Sequence, residues 1–176
     1  MIIIQQNRKS LFFIGLIFLS GLLVGSVLTF NFSPKELAIP QLYTVSRVID
    51  GDTIDVTLGH TTERVRLLGL DTPETVHPEK PVQCYGPEAS AETKRILDGK
   101  KVYLIPDPMS SDKDKYGRSL RYVFLSDGEF VNDYLVKNGY GYNYIYEPFQ
   151  FMKWFAFEED FARNNSMGLW GECRAD

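Results

Sequence analysis

Leu11 to Phe30 are twenty consecutive uncharged residues, with Arg8 and Lys9 just before them. A helix of that length spans roughly 30 Å, about the hydrocarbon core of a bilayer. The positive flank predicts a cytoplasmic N-terminus, with everything after Phe30 outside. A cleaved secretory signal is the competing expectation. Its apolar region usually runs about 7–15 residues and ends in a small-x-small site, and Gly25, Ser26 and Thr29 do not form a clean one. Residues 1–33 are therefore expected to be a stub and transmembrane anchor or signal, 34–42 a linker with Pro34 and Pro40, and 43–176 one domain.

From Tyr43 the period shortens to two. Tyr43 to Ile49, Ile54 to Leu58 and Glu63 to Leu70 are rich in β-branched and alternating apolar residues. The turn formers Asp50-Gly51-Asp52 and Gly59-His60 separate them, so three strands in a meander are predicted. Pro73 to Pro81 is a proline-rich loop, and Gly86-Pro87-Glu88 opens a helix with proline in its first turn, running to Leu97 before Asp98-Gly99. Lys101 to Ile105 and Ser119 to Leu125 read as strands four and five, with a polar loop, 106–117, between them. A helix over Val131 to Lys137 ends at Asn138-Gly139, and another covers Phe151 to Asn164. Phe151, Trp154, Phe155 and Phe161 form a helical stripe on it, which reads as core packing. Residues 140–148, with Tyr140, Tyr142, Tyr144 and Tyr146, carry no regular pattern. Five strands with a helix after the third predict an α+β, mainly β domain. The expected architecture is a five-stranded OB-fold Greek-key barrel with three helices, preceded by the transmembrane helix.

The formal net charge is −4, and Arg8 and Lys9 lie outside the domain, so the domain itself is more acidic still. That argues against a protein that coats nucleic acid through many phosphate contacts. Positive charge is local instead, at Lys113, Lys115, Arg118 and Arg121. The two cysteines, Cys84 and Cys173, are expected to pair outside the cytoplasm; two unrelated thiols are the alternative. A bridge would close a loop of about ninety residues, stabilising by roughly 4 kcal/mol on a chain-entropy view. With His60 and His77 in separate segments, no zinc pattern forms.

Chemistry concentrates in three clusters: Asp50-Gly51-Asp52-Thr53, Arg66 through Glu74, and Asp114 through Arg118. Dense carboxylates suit a hard divalent cation, and arginine suits a phosphate or its transition state. A metal, a carboxylate beside water and two guanidinium groups are the parts needed to cut a phosphodiester. Taken singly, each cluster has an ordinary reading as a turn, an ion pair or a surface charge. The spacing is not that of an EF-hand.

Ile49-Asp-Gly-Asp-Thr53, Val65-Arg-Leu-Leu-Gly-Leu-Asp-Thr-Pro-Glu74, Tyr85-Gly-Pro-Glu-Ala-Ser90, Asp114-Lys-Tyr-Gly-Arg118 and Gly168-Leu-Trp170 together resemble the staphylococcal nuclease (thermonuclease) family. The resemblance covers about Val45 to Trp170. It implies a Ca²⁺-dependent, sugar-nonspecific nuclease on an OB-fold barrel, cleaving DNA and RNA to 3′-phosphates. It implies Ca²⁺ bound by the Asp52 and Asp71 carboxylates and the Thr72 carbonyl, with Asp50 behind them. Glu74 would stand beside the attacking water, as general base or as a group that only positions it. Arg66 and Arg118 would grip the phosphate, while Lys115, Tyr116, Tyr144 and Tyr146 line the nucleotide pocket. The expected protein is a monomer, anchored in the cell membrane with its domain outside, or secreted if the leading segment is cleaved. A non-catalytic nucleic-acid or protein-binding module is the alternative. Two features depart from the family pattern. Cys84 and Cys173 are not among its catalytic motifs, and the last helix is aromatic and acidic where well-known secreted members are basic. Weaker substrate capture and a steep loss with salt are expected from the second.

Overall fold

The computed structural model describes residues 41–75 and 81–173. The expected membrane segment and most of the linker lie outside them. No helix among the described residues is long and apolar enough to cross a membrane.

Five strands close into a barrel in the order β1-β2-β3-β6-β5. β1 (Leu42–Val48), β2 (Thr53–Leu58) and β3 (Thr61–Leu67) form the predicted meander. β5 (Lys101–Ile105) pairs antiparallel with β1 and with β6 (Ser119–Leu125). The barrel shuts where β3 runs parallel to β6, Val65 opposite Ser119 and Leu67 opposite Arg121. Alternation explains the packing: Ile54, Val56, Val65, Leu67, Val102 and Val123 point inward and are fully buried. On the outer face Asp55 lies opposite Arg64 across the ladder. Asp55 accepts from Arg64 Nε at 2.8 Å and from Arg47 Nη2 at 2.9 Å.

The third strand ends earlier than its apolar run suggests. Gly69 takes a left-handed φ of +77° and breaks the ladder after Leu67. A side chain there would collide with Phe149 and Phe155 at 2.8 Å. Beyond the bend, β4 (Leu70–Asp71) pairs antiparallel with β7 (Tyr142–Asn143), so the tyrosine segment contains a short strand after all.

α1 (Gly86–Leu97), α2 (Val131–Lys137) and α3 (Met152–Asn164) match the expected helices closely, and α4 (Leu169–Glu172) is additional. α1 carries proline in its first turn and ends before Gly99 at φ +70°. The aromatic stripe on α3 is corrected by the structure. Phe155 is buried and Phe151 packs against Tyr122 and Phe130. Trp154 and Phe161, with Phe157, are exposed on the opposite side. Trp154 anchors that side by donating from Nε1 to Asp133 on α2. Cys84 and Cys173 form a disulfide with a Cα–Cα distance of 5.9 Å.

Candidate active site

The β2–β3 register sets the first contact. Thr53 pairs with Arg66, and Leu67 N–H donates to the Asp52 carbonyl at 2.9 Å. The carboxylate of Asp52 and the guanidinium of Arg66 therefore meet, with Nη2 at 3.1 Å from Asp52 Oδ2. The same nitrogen donates to Asp71 Oδ1 at 2.6 Å. Arg66 Nη1 donates to the carbonyls of Leu67 and Leu70, on either side of the Gly69 bend. The bend thus fixes one edge of the fork while the other faces the carboxylates.

The Asp50-Gly51-Asp52 turn is held from two sides. Thr93 of α1, fully buried, donates from its hydroxyl to the Gly51 carbonyl at 2.7 Å. Thr72 donates to Asp52 Oδ2 through its backbone N–H at 2.8 Å and its hydroxyl at 3.1 Å. Gly51 permits that approach, because a Cβ there would stand 2.6–2.8 Å from the Thr72 side chain. Burial, then the charge of Asp52, pushes the Asp50 carboxyl up to about 6. Asp71 is also raised, chiefly by burial, with Arg66 opposing and Asp52 and Glu74 adding.

Arg118 arrives on a turn built by its own partner. Asp114 Oδ1 accepts from the backbone N–H groups of Tyr116 (2.9 Å) and Arg118 (3.0 Å), and Oδ2 accepts from Arg118 Nε at 2.6 Å. Burial alone would raise the Asp114 carboxyl, but these bonds hold it below the ordinary carboxylate value. Lys115 and Arg118 both lie over the exposed Tyr116 ring, at 5.0 and 5.4 Å from its centroid.

All three clusters line one cavity of about 410 Å³: Asp50, Asp52, Arg66, Asp71, Thr72, Glu74, Tyr116 and Arg118 border it. A second cavity, about 590 Å³, shares the wall made by Arg66, Asp71, Tyr116 and Arg118, and extends to Lys115, Tyr144 and Tyr146. Tyr144 is carried there by its N–H bond to the Gly69 carbonyl. Glu147 closes the far side, accepting from the Ser110 and Ser111 hydroxyls and the Ser111 N–H. Tyr140 and Tyr142 pack elsewhere, against Tyr134 and Trp170.

A family model described as staphylococcal nuclease homologue matches residues 64–172. The chain belongs to the staphylococcal nuclease family. A thermonuclease of Staphylococcus hyicus is 49% identical over 108 residues, covering 61% of this chain and 62% of the relative. A thermonuclease of Staphylococcus intermedius is 51% identical over the same share of each. Endonuclease YncB of Bacillus subtilis is 38% identical over 131 residues, 73% of this chain and 61% of the relative. The chain thus spans about three fifths of the length of these relatives.

Within the staphylococcal nuclease domain, the donors expected for calcium are all oxygen: Asp52, Asp71 and the Thr72 carbonyl, with Asp50 behind. Among the described residues no three His, Cys, Asp or Glu side chains converge as a ready ligand group. Asp71 is turned to Arg66, and Asp52 is engaged by Thr72 and Arg66. The donor chemistry nevertheless fits a hard cation. Four carboxylates, Asp50, Asp52, Asp71 and Glu74, border one cavity, and Asp50 and Asp71 are raised first by burial and further by the neighbouring carboxylates.

Several residues that shape the site escape sequence reading. Thr93 supports the acidic turn from 42 positions away. Asn132, fully buried, donates to the Leu68 carbonyl and accepts from Val123 N–H, clamping the Gly69 bend to β6. Asp114 sits inside a recognised cluster but was assigned no role of its own. A polar residue among the apolar positions of α2 is a signal that could have singled out Asn132.

Proposed function

We propose that this chain is a calcium-dependent, sugar-nonspecific phosphodiesterase that hydrolyses DNA and RNA to 3′-phosphate products by in-line attack of water. The observation that carries the reading is that Arg66 and Arg118, from distant stretches of chain, border one cavity with Asp52, Asp71 and Glu74. The nuclease and endonuclease names of its relatives support it.

Charge builds on the phosphate oxygens as a phosphodiester is attacked. Arg66, braced by the Leu67 and Leu70 carbonyls, and Arg118, braced by Asp114, donate to those oxygens more strongly as that charge develops. Glu74 holds the attacking water and accepts its proton; as the water oxygen bonds to phosphorus the P–O5′ bond breaks, and the departing 5′ oxygen takes a proton from bulk water. Asp52, Asp71 and the Thr72 carbonyl would hold Ca²⁺, whose positive charge would offset the charge that develops on the phosphate. The exposed faces of Tyr116, Tyr144 and Tyr146 stack on bases without reading sequence, and Lys115 contributes charge. The apolar run after Arg8 and Lys9 supports a single-pass membrane anchor or a secretory signal, with the domain outside the cell.

The test is digestion of plasmid DNA and of RNA by the full chain, with EDTA and with calcium restored, followed by end-group analysis. Cleavage should stop with chelator and return with calcium. Arg66→Ala and Glu74→Gln should each lower kcat by roughly 10²-fold or more. Binding without cleavage in calcium would instead identify a non-catalytic binding module, and activity indifferent to EDTA would remove the metal from the mechanism.

A further inference from the structure

Glu74 lies outside the sheet, just beyond β4, and residues nine positions later hold its backbone. Its N–H donates to Gln83 Oε1 at 2.7 Å, and its carbonyl accepts from Gln83 N–H at 2.9 Å. One residue thus grips both backbone polar groups of Glu74. Next door, Gly86 opens α1 against the same backbone: a Cβ there would stand 2.9 Å from the Pro73 carbonyl and 3.1 Å from that of Glu74.

Gln83 is itself pinned from the other side. Cys84 is bonded to Cys173, and Tyr85 adopts a left-handed φ of +65°. A bulky residue holds such a backbone only where its surroundings over-determine it. The anchor reaches the core: Cys173 N–H donates to the Leu169 carbonyl, and Leu169, almost fully buried, donates to the Gly139 carbonyl. A continuous line of bonds therefore runs from the end of α2 through α4 and the disulfide to Gln83 and Glu74.

We propose that Gln83 is a positioning residue for Glu74, and that the Cys84–Cys173 bridge sets where Gln83 stands. This rests on the nuclease reading above, in which Glu74 must hold water at one place relative to the phosphate. A displacement of about 1 Å in such a group costs up to roughly a hundredfold in rate. Neither Gln83 nor the cysteines touch the cavity, so their effect is expected in kcat rather than in substrate capture.

The experiment measures kcat and KM of the full chain in calcium, together with amide exchange of Glu74 by NMR. Gln83→Leu removes the acceptor and should lower kcat by about tenfold or more, with KM within twofold and faster exchange at the Glu74 amide. Gln83→Glu keeps the acceptor and should recover most of the rate. In a Glu74→Gln background Gln83→Leu should cause no further loss, since the two act as a unit. The Cys84→Ser/Cys173→Ser pair, assayed well below its unfolding temperature, should lose kcat in the same direction. If the parent cleaves DNA and Gln83→Leu stays within twofold of it, the positioning role is overturned. A parent that fails to cleave removes the nuclease reading instead, and an unchanged Glu74 exchange rate in Gln83→Leu then overturns the clamp independently.

Discussion

Gly51 and Asp55 show how different one-residue constraints can be. Gly51 needs no unusual backbone angle; what it supplies is room, since the Thr72 side chain occupies the place where its Cβ would go. Gly51→Ala should therefore push Thr72 off Asp52, destabilise the domain by about 1–3 kcal/mol and, on the proposed calcium-dependent function, raise the calcium concentration needed for half-maximal cleavage. Denaturant unfolding and a calcium titration of activity measure the two effects. Asp55 lines neither cavity and is tied instead to two arginines on the barrel's outer face. The Arg64 side chain first, and Arg47 second, hold its carboxyl below the ordinary carboxylate value. A depressed carboxyl adds stability that is present above its unfolded-state pKa and lost as pH falls through the folded one. Asp55→Asn should cost about 1 kcal/mol at neutral pH, discounted because both arginines are substantially exposed. In urea melts the gap between parent and variant should close below about pH 4.

At the scale of elements, the two sides of α3 give the clearest contrast. Phe155 is enclosed by Phe130, Phe149 and Phe151, so Phe155→Ala should cost about 3–5 kcal/mol. Phe161 is exposed, and Phe161→Ser should cost under about 1 kcal/mol; thermal unfolding of the two variants separates them. Helical spacing placed both in one stripe, because periodicity shows which residues share a helix and not how much of its circumference meets the core. The barrel strands and three helices were legible, since each is long enough to display its period. β4, β7 and α4 were not: two to four residues cannot show a repeat, and only their pairing partners create them. The clusters around Asp52, Arg66 and Arg118 were legible as contiguous motifs. Thr93, Asn132 and Gln83 were not, because each acts on a residue 9 to 64 positions away.

Across the whole molecule, charge and covalent closure decide behaviour. With a net charge of −4 the protein gains little from long-range attraction to its proposed nucleic-acid substrate, so on that proposal Lys113, Lys115 and Arg118 supply the attraction locally. Raising salt from 50 to 200 mM should therefore raise KM for DNA by about tenfold while kcat holds steady, as initial-rate measurements would show. The disulfide spans 89 positions, and removing it should lower stability by about 2–4 kcal/mol. It also makes everything from α1 to α4 a covalent ring. A protease cutting once in the exposed turn at Tyr116 would open that ring without releasing either piece. The nicked protein should migrate as one species on a denaturing gel until a thiol reagent separates it into two.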